Sequence, residues 1–188
     1  MSLAEEFAER YAGLRQAYGT FTANNETRED GKASGKNITI SKELSDTDLL
    51  KLWDGHLSGR QSVGIVPIDE HNTCVWGAID VDEYQLDLKD LAIKIAKQKL
   101  PLVLCRSKSG GAHIYMFLTE PVAANILQRK LRQVAAAIGY GQVEIFPKQT
   151  KLLLDRGDRG STLNMPYFGG ENSTRYAYSK KGNALTPN

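Results

Sequence analysis

With 188 residues, 41% of them hydrophobic, and a mean hydropathy of -0.39, the chain carries enough apolar material for one substantial core and no apolar run long enough to cross a bilayer. Its acidic, polar start is no secretory leader, and two cysteines (Cys74, Cys105) with three histidines are too few for a disulfide framework or a structural zinc site, so a single cytoplasmic domain without a membrane partner is expected. The net charge of +2 hides an asymmetry, because residues 1–90 carry 9 Lys/Arg against 17 Asp/Glu and residues 91–188 carry 15 against 5; either the second half meets a polyanion, or solvated faces happen to sort this way.

In chain order, apolar recurrence at three and four over residues 4–18 predicts an opening amphipathic helix ending near Gly19. Residues 20–36, rich in Asn, Glu, Lys and Gly, read as a long mobile loop. Ser45 precedes an apolar-periodic segment with Leu49, Leu52 and Trp53, the pattern of a capped helix running towards His56. The period then changes. Residues 63–67 and 73–82 are short apolar runs split by a polar turn, the signature of paired strands. Helical spacing returns from Leu88 to Leu100, where Pro101 stops it. Residues 102–107 and 113–118 form two strands joined by a glycine-rich turn, a second helix covers about 123–138, and a strand follows at 142–146. This order predicts an α+β fold with a mostly antiparallel sheet and helices on one face. The chain divides into an N-terminal helix and loop (1–44), a core (45–170) and a polar tail (171–188).

Three segments bear on chemistry. In Ala78-Ile79-Asp80-Val81-Asp82, alternation puts both carboxylates on one face, where a hard divalent cation would relieve their repulsion; the competing reading is a strand end turning into solvent. The turn Ser107-Lys108-Ser109-Gly110-Gly111-Ala112-His113 has an anion cradle's composition without the spacing of a P-loop, or is simply a Gly-Gly hairpin turn with a satisfied histidine. In Val143-Glu144-Ile145-Phe146 a lone carboxylate sits in an apolar strand, facing a polar site or solvent. Lys148, Lys151, Arg156 and Arg159 follow as phosphate contacts or solvated loop charges, and Tyr167, Phe168, Tyr176 and Tyr178 as base-stacking or core aromatics. Three carboxylates, a phosphate cradle and a basic tail together suit phosphoryl transfer through two metal ions.

In this order and at these separations, Ile79–Asp82, Ser109–His113 and Val143–Gln149 resemble the three motifs of the archaeo-eukaryotic primase superfamily. The likeness is strongest to the primase-like domain of TOTE conflict systems and to related phage and CRISPR-associated primase-polymerases. It extends over roughly residues 45–170, including His56–Ile68 and Leu163–Gly170. It implies an RRM-like antiparallel sheet with packed helices and a smaller N-terminal α/β unit. It also implies a template-dependent nucleotidyltransferase, a DNA primase and polymerase, that joins NTPs or dNTPs on a single-stranded DNA template or primer. Two Mg²⁺ or Mn²⁺ ions would be held by Asp80, Asp82 and Glu144, and the nucleotide by Ser109, Gly110, Gly111 and His113. Charge and position add Lys108, Lys148 and Arg159 as phosphate contacts. A longer parent chain would pair this domain with a helicase. A metal-dependent nuclease and a catalytically silent single-strand-binding module are the alternatives.

Overall fold

Strand β4 (Thr73–Val81) runs through the middle of the molecule and positions everything that follows. The structure, a computed structural model, describes residues 1–27, 33–83 and 85–187. From β4 the chain continues through α3 (Leu88–Lys97), β5 (Val103–Arg106), β6 (Ala112–Ala123), α4 (Ala124–Ala137) and β7 (Glu144–Phe146). These strands form an antiparallel sheet in the order β5-β6-β4-β7, the expected RRM-like β-α-β-β-α-β arrangement.

Each face of this sheet has its own core. One face carries Ile79, Val81, Ile114 and Ile145, and packs against Leu91 and Ile95 of α3 and Leu127, Leu131 and Val134 of α4. Apolar residues spaced three and four apart supply these helical stripes. Close approach of α4 depends on Gly77, because a Cβ there would lie 2.7 Å from Leu131 Cδ1 and 2.7 Å from Phe146 O. The other face carries Trp76, Ala78, Tyr115 and Phe146, and packs against Phe7 and Tyr11 in and after α1 (Leu3–Arg10) and Trp53 of α2 (Asp46–Leu57). Ser45 caps α2, its hydroxyl accepting from Asp48 N at 3.1 Å. A second antiparallel sheet, β2-β1-β3-β8, is built from β1 (Ala17–Thr27), β2 (Ala33–Ser41), β3 (Gly64–Ile65) and β8 (Leu163–Asn164).

Three expectations are corrected. The opening helix stops at Arg10: Gly13 passes so close to Val66 that a Cβ would sit 2.1 Å from its carbonyl oxygen, and Leu14 N donates to that oxygen at 3.0 Å. The apolar spacing beyond Tyr11 therefore marks a buried extended crossing. The expected loop over residues 20–36 is a hairpin, with Thr20 paired to Ile38 and Phe21 to Asn37; residues 28–32 lie outside the described residues. The polar composition of β1 conceals it, whereas Ile38, Thr39 and Ile40 supply the β-branched partner strand. Finally, the runs at 63–67 and 73–82 do not pair with each other but enter different sheets. Asp69 makes the turn between them, accepting from Thr73 N at 2.7 Å, Thr73 Oγ1 at 2.6 Å and His71 N at 3.0 Å. Helices α2, α3 and α4, the β5–β6 hairpin and β7 stand where expected, and Cys74 and Cys105 are buried free thiols. No helix of the described residues is long and apolar enough to cross a membrane.

Candidate active site

The antiparallel register places the motif residues in a row across the sheet. Asp80 is paired with Glu144 on one side and with His113 on the other, and His113 is paired in turn with Cys105. Cross-strand partners share a face, so the row lies on the face of Trp76, Ala78 and Tyr115, next to the second sheet and α1–α2 rather than α3–α4. His113 Nε2 stands 3.4 Å from Asp80 Oδ1, with the two side chains 9% and 21% exposed.

The glycine-rich turn completes the site. Ser109 Oγ donates to Asp82 Oδ1 at 2.9 Å and lies 3.1 Å from Ser107 Oγ, so the second motif is tied directly to the first. Gly110 takes a positive φ of 99°, and a Cβ on Gly111 would lie 2.2 Å from Val81 O, so only glycine lets the turn settle on the end of β4. One backbone donor of this cradle is already engaged, since Gly110 N donates to Ser107 O at 3.2 Å. The Lys108 ammonium lies 2.9 Å over the centre of the Phe21 ring on β1, joining the turn to the second sheet.

The remaining expected residues are less convergent. Glu144, with its side chain 60% exposed, is turned to Lys148, whose Nζ lies 2.6 Å from Oε2 and 5.0 Å from the Phe146 ring centre. Among the described residues no three His, Cys, Asp or Glu side chains gather closely enough to hold a metal. Asp80, in β4, and Asp82, just past its end, nonetheless suit a hard cation in chemistry: both are carboxylate oxygen donors, and their side-chain partners, His113 and Ser109, are not fixed cations. Arg159 donates to the carbonyls of Leu154 and Asp158 in its own loop.

Two buried residues, one on His113 and one further along the tail, have no local sequence signal. Tyr115 is fully buried, and its hydroxyl lies 3.2 Å from His113 Nδ1. Arg175 is 8% exposed, lies 5.0 Å from the Phe168 ring centre and 3.5 Å from Ser62 Oγ, and makes no ion pair among the described residues. Burial lowers its pKa, an effect that Tyr115 opposes. An arginine two residues after a serine in a polar tail reads as a solvated charge; only the fold buries it. The same tail lines the edge of β5, where Arg106 N donates to Tyr176 O at 3.0 Å and Tyr178 N to Leu104 O at 2.8 Å. Beside the turn lies a cleft of about 480 Å³ lined by Lys89, Arg106, Ser109 and Tyr178 among others.

A sequence model of the family described as "TOTE conflict system, Archaeo-Eukaryotic Primase domain" matches residues 4–178. No curated protein matches the chain. Among solved structures, the polymerase domain from Mycobacterium tuberculosis ligase D in complex with DNA is 15% identical; the match covers 98% of this chain and 77% of that one, with a TM-score of 0.40.

Proposed function

Because the chain belongs to the archaeo-eukaryotic primase domain family of the TOTE conflict system, we propose that it is a nucleotidyltransferase of primase-polymerase type, joining NTPs or dNTPs on a single-stranded DNA template or primer. One observation carries the reading: the first two motifs meet at the end of β4, where Ser109 Oγ donates to Asp82 Oδ1 at 2.9 Å and His113 Nε2 stands 3.4 Å from Asp80 Oδ1. Nucleotidyl transfer needs a triphosphate site and hard-cation ligands within one substrate's reach, and hydrolysis of a nucleic acid has no use for the first of these.

Asp80 and Asp82 would hold the divalent ions, Mg²⁺ or Mn²⁺, and Glu144 would join them on leaving Lys148. When bound, the ions supply activation of a 3′-hydroxyl and neutralisation of charge on the transferring phosphate. Ser109, His113 and the backbone around Gly110–Gly111 then orient the triphosphate. Lys148, once freed of Glu144, and Lys108 would supply cations for its outer oxygens. The chain's own contribution is thus positioning and fixed donors, which bring most of the rate in phosphoryl transfer.

The test is extension of a labelled primer on a single-stranded template with Mn²⁺ or Mg²⁺ and each nucleotide set, comparing the wild type with Asp80→Ala/Asp82→Ala. Metal-dependent growth lost in the double variant is expected. Release of mononucleotides without incorporation would establish a nuclease instead, and single-strand binding without turnover a silent binding module.

A further inference from the structure

We propose that Tyr115 is a positioning residue for His113: its hydroxyl donates to Nδ1 and so keeps the ring proton on Nε2, the nitrogen that faces Asp80. What His113 then contacts rests on the nucleotidyltransferase reading; the hydrogen bond itself does not.

The two side chains stand two residues apart on one face of β6, with ring centres 6.0 Å apart at 83° and Nδ1 3.2 Å from Oη. What each group can do elsewhere fixes the direction of this bond. Tyr115 is fully buried among Tyr11, Trp76 and Phe117, and Nδ1 is the hydrogen-bond partner of its hydroxyl among the described residues. Burial raises the phenol's pKa well above its ordinary value, with Asp80 adding to the effect and Arg175 opposing it, so the hydroxyl keeps its proton. A guanidinium only donates, so Arg175 cannot receive that proton.

At the other ring nitrogen, Nε2 faces Asp80 Oδ1 at 3.4 Å, and an ionised carboxylate only accepts. A proton on Nδ1 would therefore strand the Tyr115 proton in the core and aim an Nε2 lone pair at a carboxylate. A proton on Nε2 satisfies both ends. The bond made by one ring nitrogen thus sets the role of the other. Phosphate oxygens also only accept, so Tyr115 turns His113 from a ring able to serve either way into an oriented donor.

The test uses the full chain. Tyr115→Phe keeps the ring and its aromatic contacts and removes only the hydroxyl. In ¹⁵N NMR of the imidazoles, with His113 identified by its loss in His113→Gln, the wild type is expected to show a protonated Nε2 and a bare Nδ1 displaced by an accepted hydrogen bond. In Tyr115→Phe the Nδ1 resonance moves to the position of an unbonded nitrogen, and nucleotide affinity in the presence of Mn²⁺ falls roughly three- to tenfold, the worth of one hydrogen bond. A proton on Nδ1 in the wild type, or an Nδ1 resonance that the substitution leaves in place, overturns the assignment. The NMR signature without any nucleotide binding would support the assignment and count against the nucleotidyltransferase reading alone.

Discussion

The tie between the first two motifs can be cut with a single methyl group. In Gly111→Ala the new Cβ would stand 2.2 Å from Val81 O, whereas real Cβ atoms essentially never come within 3.0 Å of such an atom, so turn and strand must part by at least about 0.8 Å. Ser109 Oγ donates to Asp82 Oδ1 at 2.9 Å, and the same displacement along that line takes it to about 3.7 Å, beyond hydrogen-bond reach. Misplacing a reacting group by about 1 Å costs up to about 100-fold in rate. Primer extension by Gly111→Ala is therefore expected to fall by about 30- to 100-fold, while urea unfolding shows a loss of about 1–3 kcal/mol, the ordinary cost of overpacking. Ser109→Ala, which removes the hydrogen bond and leaves the backbone in place, should fall by only about tenfold. Activity of Gly111→Ala within threefold of the wild type would refute the argument that the position of the turn on β4 sets the site.

Three further outcomes are expected. His56 is buried, donating through Nε2 to Pro166 O at 2.8 Å and accepting at Nδ1 from Val63 N at 3.0 Å, and burial brings its pKa down from 6.5 to about 4. The unfolded chain then binds the extra proton first, so this stability is fully present above pH 6.5 and is lost as the pH falls to about 4, by about 3 kcal/mol in all; urea titrations should show that slope in the wild type and not in His56→Gln, and equal slopes would refute it. Lys148→Met removes the ion-pair partner of Glu144 and leaves that carboxylate available, so Mn²⁺ affinity measured by calorimetry should rise while folding stability changes by less than about 1 kcal/mol; unchanged affinity would mean that the pair does not compete with the metal. Arg175→Met replaces a buried cation that has no carboxylate partner among the described residues, so urea unfolding should show a chain more stable by about 1 kcal/mol; a loss of stability would mean that the contacts with Ser62 and Phe168 outweigh the cost of burying the guanidinium.

How much of this was legible in the sequence differs from residue to residue for physical reasons. The strand that carries Asp80 was legible because its apolar run is local, although β4 ends at Val81 and leaves Asp82 beyond the alternation expected of the pair; the turn before His113 was legible because its glycines have few other uses between two apolar runs. That Glu144 stands beside Asp80 depends on β4 pairing with β7 across two helices and a hairpin, a register that no local pattern encodes. Partners distant in sequence also explain the misreadings: the short run at Gly64–Ile65 takes its place beside Leu163–Asn164 rather than beside the run that follows it, and β1 becomes a strand by virtue of β2. Tyr115 and Arg175 were hidden for a third reason. A tyrosine in an apolar strand and an arginine in a polar tail are ordinary, and they become informative only when one is found fully buried against His113 and the other buried without a carboxylate.

The site is therefore assembled from both ends of the chain, although its motifs lie in the middle. β1 supplies Phe21 beneath Lys108, and residues 176–178 run along β5 opposite the turn. His56 holds the segment after β8 at two points, since Pro166 O accepts from its ring and Gly169 N donates to its carbonyl at 3.0 Å, and that segment leads to Arg175. A motif carried on a hairpin turn is the part of a sheet freest to move, because turns have fewer buried contacts than the strands they join. Here the turn is joined to β1 through Lys108 and Phe21, and the tail is hydrogen-bonded along the strand that leads into it. The nearly neutral overall composition conceals a division along the chain: the acidic half contributes Asp80 and Asp82, and the basic half contributes His113 beside Asp80, Ser109 on Asp82 and Lys148 on Glu144.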